Sequence, residues 1–110
     1  IYKEKCFNKF GRCRMIIYVD IDGTICTDEK GLYDKAKPIN EQIHKINKLY
    51  DENNTIVYWT ARGTVTGINW YNLTKQQLEH WGCKYHKLKV GTKPHYDLWV
   101  DDKSKRIEEI

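Results

Sequence analysis

The sequence predicts an α/β protein built on a parallel sheet with helices on both faces, and three observations carry that prediction. Short apolar, β-branched runs alternate along the chain with segments whose apolar residues recur at helical spacing. The strand-like runs end abruptly at polar residues, Asp20, Thr60 and Asp101. In parallel sheets ligands bind beyond the carboxyl ends of the strands, so polar residues at several strand ends mark one crevice. A chain of 110 residues has room for a single domain with a modest core.

Each element has its own signal. Residues 1–14 show no periodicity and read as a basic extension, so the folded domain is placed at 15–110. Met15–Asp20 is a buried-strand run closing in Asp20-Ile-Asp-Gly-Thr24, and residues 23–37, polar and glycine-containing, read as a loop or small flap. Ile39, Ile43, Ile46 and Leu49 mark a helix, with Pro38 ahead and Asn53-Asn54 behind. Thr55–Trp59 is a second strand ending at Thr60. Trp70, Leu73, Leu78 and Trp81 mark a second helix closed by Gly82. Tyr85–Val90 and Tyr96–Val100 are expected as third and fourth strands, the latter stopping at Asp101-Asp102, and Lys103–Ile110 as the start of a last helix.

Composition excludes several classes. With 40% hydrophobic and 31% charged residues the chain is neither fibrous nor low-complexity, and its longest apolar runs are far too short to span a bilayer. The net charge of +4 sits in residues 1–14, where Lys3, Lys5, Lys9, Arg12 and Arg14 face only Glu4; the remainder is balanced. A balanced body disfavours nucleic acid as the partner, since such proteins carry a basic face on the folded domain. Cys6, Cys13, Cys26 and Cys83 form no Cys-x-x-Cys pair and read as free thiols in a reducing, cytoplasmic setting.

The chemistry concentrates at the strand ends. Two acids one residue apart, Asp20 and Asp22, joined by Asp101 and Asp102 from another strand, would repel one another unless a hard cation such as Mg²⁺ lay between them. Arg62 has two readings of equal weight: a hand for a substrate anion, or a brace for its loop. His86 and His95 are candidates for the site mouth, and the four tryptophans read as core. Cys26, close to the acids, reads as packing.

Asp20-Ile-Asp22-Gly-Thr24 after an apolar strand resembles the first signature of the haloacid-dehalogenase (HAD) superfamily phosphotransferases. Thr60, Lys93 before Pro94, and Asp101-Asp102 resemble the remaining three motifs, in the same order. Tyr58-Trp-Thr-Ala-Arg-Gly63, Gln77-Leu78 with Trp81-Gly82, and Lys93-Pro94 with Tyr96-Asp97-Leu98 look like the small phosphatases of bacterial capsule and surface-polysaccharide synthesis. One departure is Gly91-Thr-Lys-Pro94, where Gly would be expected beside Lys.

The resemblance implies a three-layer, Rossmann-like core with strand order 3-2-1-4. It implies a Mg²⁺-dependent phosphomonoester hydrolase working through an aspartyl-phosphate. Asp20 would be nucleophile and metal ligand, and Asp22 would serve the leaving group as acid, then water as base, its carbonyl on the metal. Thr60 and Lys93 would hold the phosphoryl oxygens, and Asp101 and Asp102 would complete the metal set. Gly23, Thr24, Ala61 and Arg62 would line the substrate. The spans between the motifs leave no space for a cap domain, so the site is expected to be open, closed over by the flap, a second subunit or a bulky substrate. A phosphorylated sugar or related small metabolite is the expected substrate, with homo-oligomerisation an expectation for small ones. A nucleotide or polynucleotide 3′-phosphatase and a catalytically silent binding domain of the same fold are the alternatives.

Overall fold

The computed structural model describes residues 14–110; Cys6, Cys13 and nearly all of the basic extension lie outside the described residues. Three strands, β1 (Ile16–Val19), β2 (Thr55–Thr60) and β3 (Lys87–Val90), form a wholly parallel sheet in the order β1-β2-β3. Val19 pairs with Tyr58, and Tyr58 with Leu88, so these three stand on one face. Helices α1 (Asn40–Asp51) and α2 (Tyr71–His80) make the two crossovers.

Both helices cover the same face. The core joins Val19, Ile56 and Tyr58 from the sheet to Ile43 and Ile46 of α1 and Leu78 of α2, with Ile17, Leu49, Trp81 and Leu88 packed around them. Two right-handed crossovers that step in one direction across a sheet necessarily place their helices on one side. The described residues therefore form two layers and not the expected three. The opposite face leaves Ile16 72% and Tyr18 51% exposed, with Trp59 set edge-on against Tyr18 at 5.5 Å.

Local chemistry sets the boundaries. Asn53 closes α1 in the left-handed region (φ 73°), and the buried Asn54 donates its side-chain amide to the Leu49 carbonyl while its oxygen accepts the Met15 N–H. One asparagine thus ends a helix and anchors the start of β1. At the end of α2 the chain turns at Gly82, and the Cys83 N–H reaches back to the Leu78 carbonyl. Asn47 bridges this turn to α1 through Gly82 O and Lys84 N.

Two expected elements do not form. Residues 96–100 are not a strand: Leu98 is 78% and Val100 86% exposed, and Trp99 lies outside the core. Local contacts hold this stretch: Tyr96 tilts against Trp99 at 5.0 Å, and Asp101 accepts from Trp99 Nε1 and Lys103 N. Such side-chain-to-neighbour bonds compete with a ladder. Among the described residues β1 is therefore an edge strand and β2 the centre, where order 3-2-1-4 would put β1 in the middle. The final helix is a single 3-10 turn, Ile107–Glu109, whose Ile107 packs on the core and whose Ile107 carbonyl accepts from Lys45.

Candidate active site

The carboxyl ends of the three strands open on one side, and three of the singled-out residues meet there. Asp20 directly follows β1, Thr60 is the last residue of β2, and Lys93 lies three residues beyond β3. The Lys93 ammonium is 3.2 Å from Asp20 Oδ1. The Asp20 side chain keeps 41% of its surface exposed while that of Lys93 keeps 12%, so the carboxylate is partly buried with one side open to solvent and the amine approaches from the protein. Burial is the largest influence on the Asp20 carboxyl and raises it above its ordinary value; the Lys93 charge and hydrogen bond pull it back, and Asp22 adds to the rise.

Thr60 is buried, and its hydroxyl oxygen accepts the Arg62 backbone N–H at 3.2 Å, leaving the hydroxyl hydrogen for another acceptor. Lys93 is held from behind, because the Thr64 hydroxyl donates to its carbonyl at 2.7 Å and so ties the loop after β2 to the loop after β3. The Tyr96 ring lies 5.6 Å from the Lys93 ammonium.

Asp22 is turned towards Arg62. Its Oδ2 accepts from Arg62 Nε at 2.9 Å and its Oδ1 from Nη2 at 2.8 Å, a bidentate pair. Arg62 is almost wholly buried, and its remaining N–H groups go to Thr74 Oγ1, Gln77 Oε1 and, weakly, Cys26 Sγ. Of its two sequence readings, loop brace is the one this geometry matches.

The other substrate-lining candidates also serve the loops. The Gly23 amide donates to Cys26 O and the Thr24 amide to Ile21 O, closing the turn after β1, and the Ala61 carbonyl accepts the Thr64 N–H. Cys26 is fully buried, its thiol pushed up to about 12 chiefly by burial, and so stays protonated. His86 stands at the opposite, amino end of β3, stacked on Tyr50 and accepting the Ile56 N–H; it does not line the site. His95 is exposed.

The acids expected to share a metal are not brought together. Asp101 and Asp102 are exposed, and Asp101 is pulled down to about 2 by hydrogen bonds from Asp102, Trp99 and Lys103. Among the described residues no three His, Cys, Asp or Glu side chains cluster to hold a metal ion. The Asp22 carboxylate is spent on Arg62, so the crevice offers one accessible carboxylate, that of Asp20. The donor set gathered here does not by itself fit Mg²⁺, which seeks near-octahedral oxygen coordination.

Thr74 and Gln77, three residues apart on α2, were not among the candidate residues, although both help form this cluster. The signal for them is a polar pair at one-turn spacing on the face that also carries Leu78. Between Asp22 and Thr60 the chain forms only the flap, with its short turn Tyr33–Lys35, and α1, so no cap domain is inserted there. No helix among the described residues is long and apolar enough to cross a membrane.

No protein-family model matches the chain, and no curated protein matches it. A crystal structure of a target protein from Vibrio cholerae is similar, with a TM-score of 0.77 and 23% identity over 87% of this chain and 85% of that one. That likeness shows a shared α/β fold.

Proposed function

We propose that the protein is a phosphomonoester hydrolase of the HAD type, acting through an aspartyl-phosphate on a phosphorylated sugar or related small metabolite. The observation that supports this best is the Asp20–Lys93 contact at 3.2 Å, with Thr60 ending the adjacent strand. A carboxylate open to solvent on one side, beside a buried-side cation, is the arrangement that nucleophilic attack on a phosphate needs.

In this proposal an Asp20 oxygen attacks phosphorus as the bond to the leaving alkoxide breaks. Lys93 then has the new phosphoryl oxygens within reach, and the Thr60 hydroxyl donates to one of them. Asp22 enters the cycle as the protonated acid, its oxygens still accepting from Arg62; it gives that proton to the alkoxide, then takes one from the water that attacks the same phosphorus, so that phosphate is released and both Asp20 and the Asp22 acid are restored. Mg²⁺, if held beside Asp20, would supply neutralisation of the phosphate charge, which the donor set gathered in the crevice does not provide by itself. It requires a further acid beside Asp20, and Asp101, which lies in the segment expected to flank β1, is the proposed source. With no cap over the crevice, a small substrate would need the flap or a second copy of the chain to exclude water, so self-association belongs to the same proposal, as does a cytoplasmic setting.

Phosphate release from a panel of sugar, polyol and nucleotide monophosphates tests this. Activity is expected with Mg²⁺, lost with EDTA and recovered on adding Mg²⁺ back. Asp20→Asn is expected to keep less than about one part in a thousand of wild-type turnover. Full activity of that variant removes the nucleophile and with it the proposal.

A further inference from the structure

Arg62 carries one of the largest side chains in the protein to be fully buried, yet it lies two residues beyond Thr60 at the edge of an otherwise open crevice. A buried guanidinium is costly unless every N–H and its charge are matched. Here each is matched within the protein. Nε and one Nη2 hydrogen take the two Asp22 oxygens at 2.9 and 2.8 Å, and Nη1 takes Thr74 Oγ1 at 3.0 Å and Gln77 Oε1 at 2.6 Å. The last Nη2 hydrogen faces Cys26 Sγ at 4.0 Å. The guanidinium carbon lies 4.7 Å from the Tyr33 ring centroid, and Gln77 Nε2 donates to the Tyr33 carbonyl at 2.7 Å. The loop after β1, the flap and α2 are thereby joined at one side chain, and no N–H remains for a ligand.

We infer that Arg62 is a positioning residue. Its fork fixes the Asp22 carboxyl at the crevice and, through Gln77, couples it to the Tyr33 flap, while the substrate phosphate is held by others. This rests on the reading of Asp22 as the group that protonates the leaving alkoxide. Lysine cannot replace arginine here, because a single ammonium supplies the charge without the planar two-point contact. The distance from Asp22 to the leaving oxygen is then set by the guanidinium plane, and a misplacement of about 1 Å costs on the order of 10²-fold in rate.

The experiment compares wild type, Arg62→Lys, Gln77→Ala, Asp22→Asn and Arg62→Lys/Asp22→Asn in single-turnover formation of the aspartyl-phosphate. An alkyl phosphate, which needs the proton, is set against p-nitrophenyl phosphate, which needs it far less, and inorganic phosphate inhibition reports phosphate binding. Arg62→Lys is expected to lose about 10²-fold more on the alkyl ester than on the aryl ester, with inhibition by phosphate unchanged. Gln77→Ala, whose smaller change keeps the test open should Arg62→Lys fold poorly, is expected to show the same selective loss at about tenfold. The double variant is expected to be no more selective than Asp22→Asn alone, as for two residues acting through one step. Equal losses on both esters together with weakened phosphate inhibition would place Arg62 on the substrate and overturn the inference. Selectivity in Asp22→Asn but in neither Arg62→Lys nor Gln77→Ala overturns the positioning role alone. Absence of selectivity in Asp22→Asn itself overturns the proton-donor reading and the inference together.

Discussion

Asp20 and Asp22 are two residues apart and carry the same charge, but the fold treats them oppositely. Asp20 is half-open with one ammonium beside it, whereas Asp22 is locked in a bidentate pair with a buried guanidinium. Replacing each by asparagine separates the two environments. Asp20→Asn is expected to leave thermal stability at neutral pH undiminished, since the folded state already disfavours the ionised form of this carboxyl. Asp22→Asn is expected to cost roughly 3 kcal/mol in a urea titration, because it strands a buried charge. The pH dependence follows from the Asp20 shift. A carboxyl raised in the folded state contributes stability that is fully present below its unfolded value and is lost as pH rises through the folded one. In the metal-free protein its titration, followed by carboxyl ¹³C NMR, is expected above 3.8. Lys93→Met is expected to move it further up, because Lys93 is the main group pulling it down.

At the scale of elements, the two helices and three strands were readable because their signals are local: apolar residues at 3.6 or continuous spacing, with Asn, Gly and Pro at the ends. Tyr96–Val100 has a comparable apolar pattern but no comparable outcome. A strand exists only against a partner edge, and neighbours in sequence compete for the same groups. The loop after β2 shows how one position governs an element. Gly63 has φ +82°, and a Cβ there would collide with the Ile68 carbonyl oxygen, whereas a Cβ on Gly67 would meet nothing. Gly63→Ala is expected to destabilise by about 2 kcal/mol or more, against about 1 kcal/mol for Gly67→Ala, by chemical denaturation. The same collision would shift the loop that carries Arg62 and Thr64.

For the molecule as a whole, the described residues form a two-layer structure whose strand-end crevice brings Asp20, Thr60 and Lys93 together while Asp101 stands apart in an exposed loop. Asp101→Asn is expected to leave the metal-free protein within about 0.5 kcal/mol of wild type, as for an exposed side chain. By calorimetry the same variant is expected to weaken Mg²⁺ binding; unchanged affinity would remove Asp101 from the proposed metal set. The sequence by itself determined the order of the strands and helices and the strand-end positions of Asp20 and Thr60, because apolar periodicity and chain punctuation are properties of neighbours along the chain. Only the tertiary structure decided that both helices share one face, that Asp22 belongs to Arg62, and that Thr74, Gln77 and Tyr33 complete that cluster. Those outcomes depend on which residues far apart in sequence can satisfy a buried charge, and no local pattern records that.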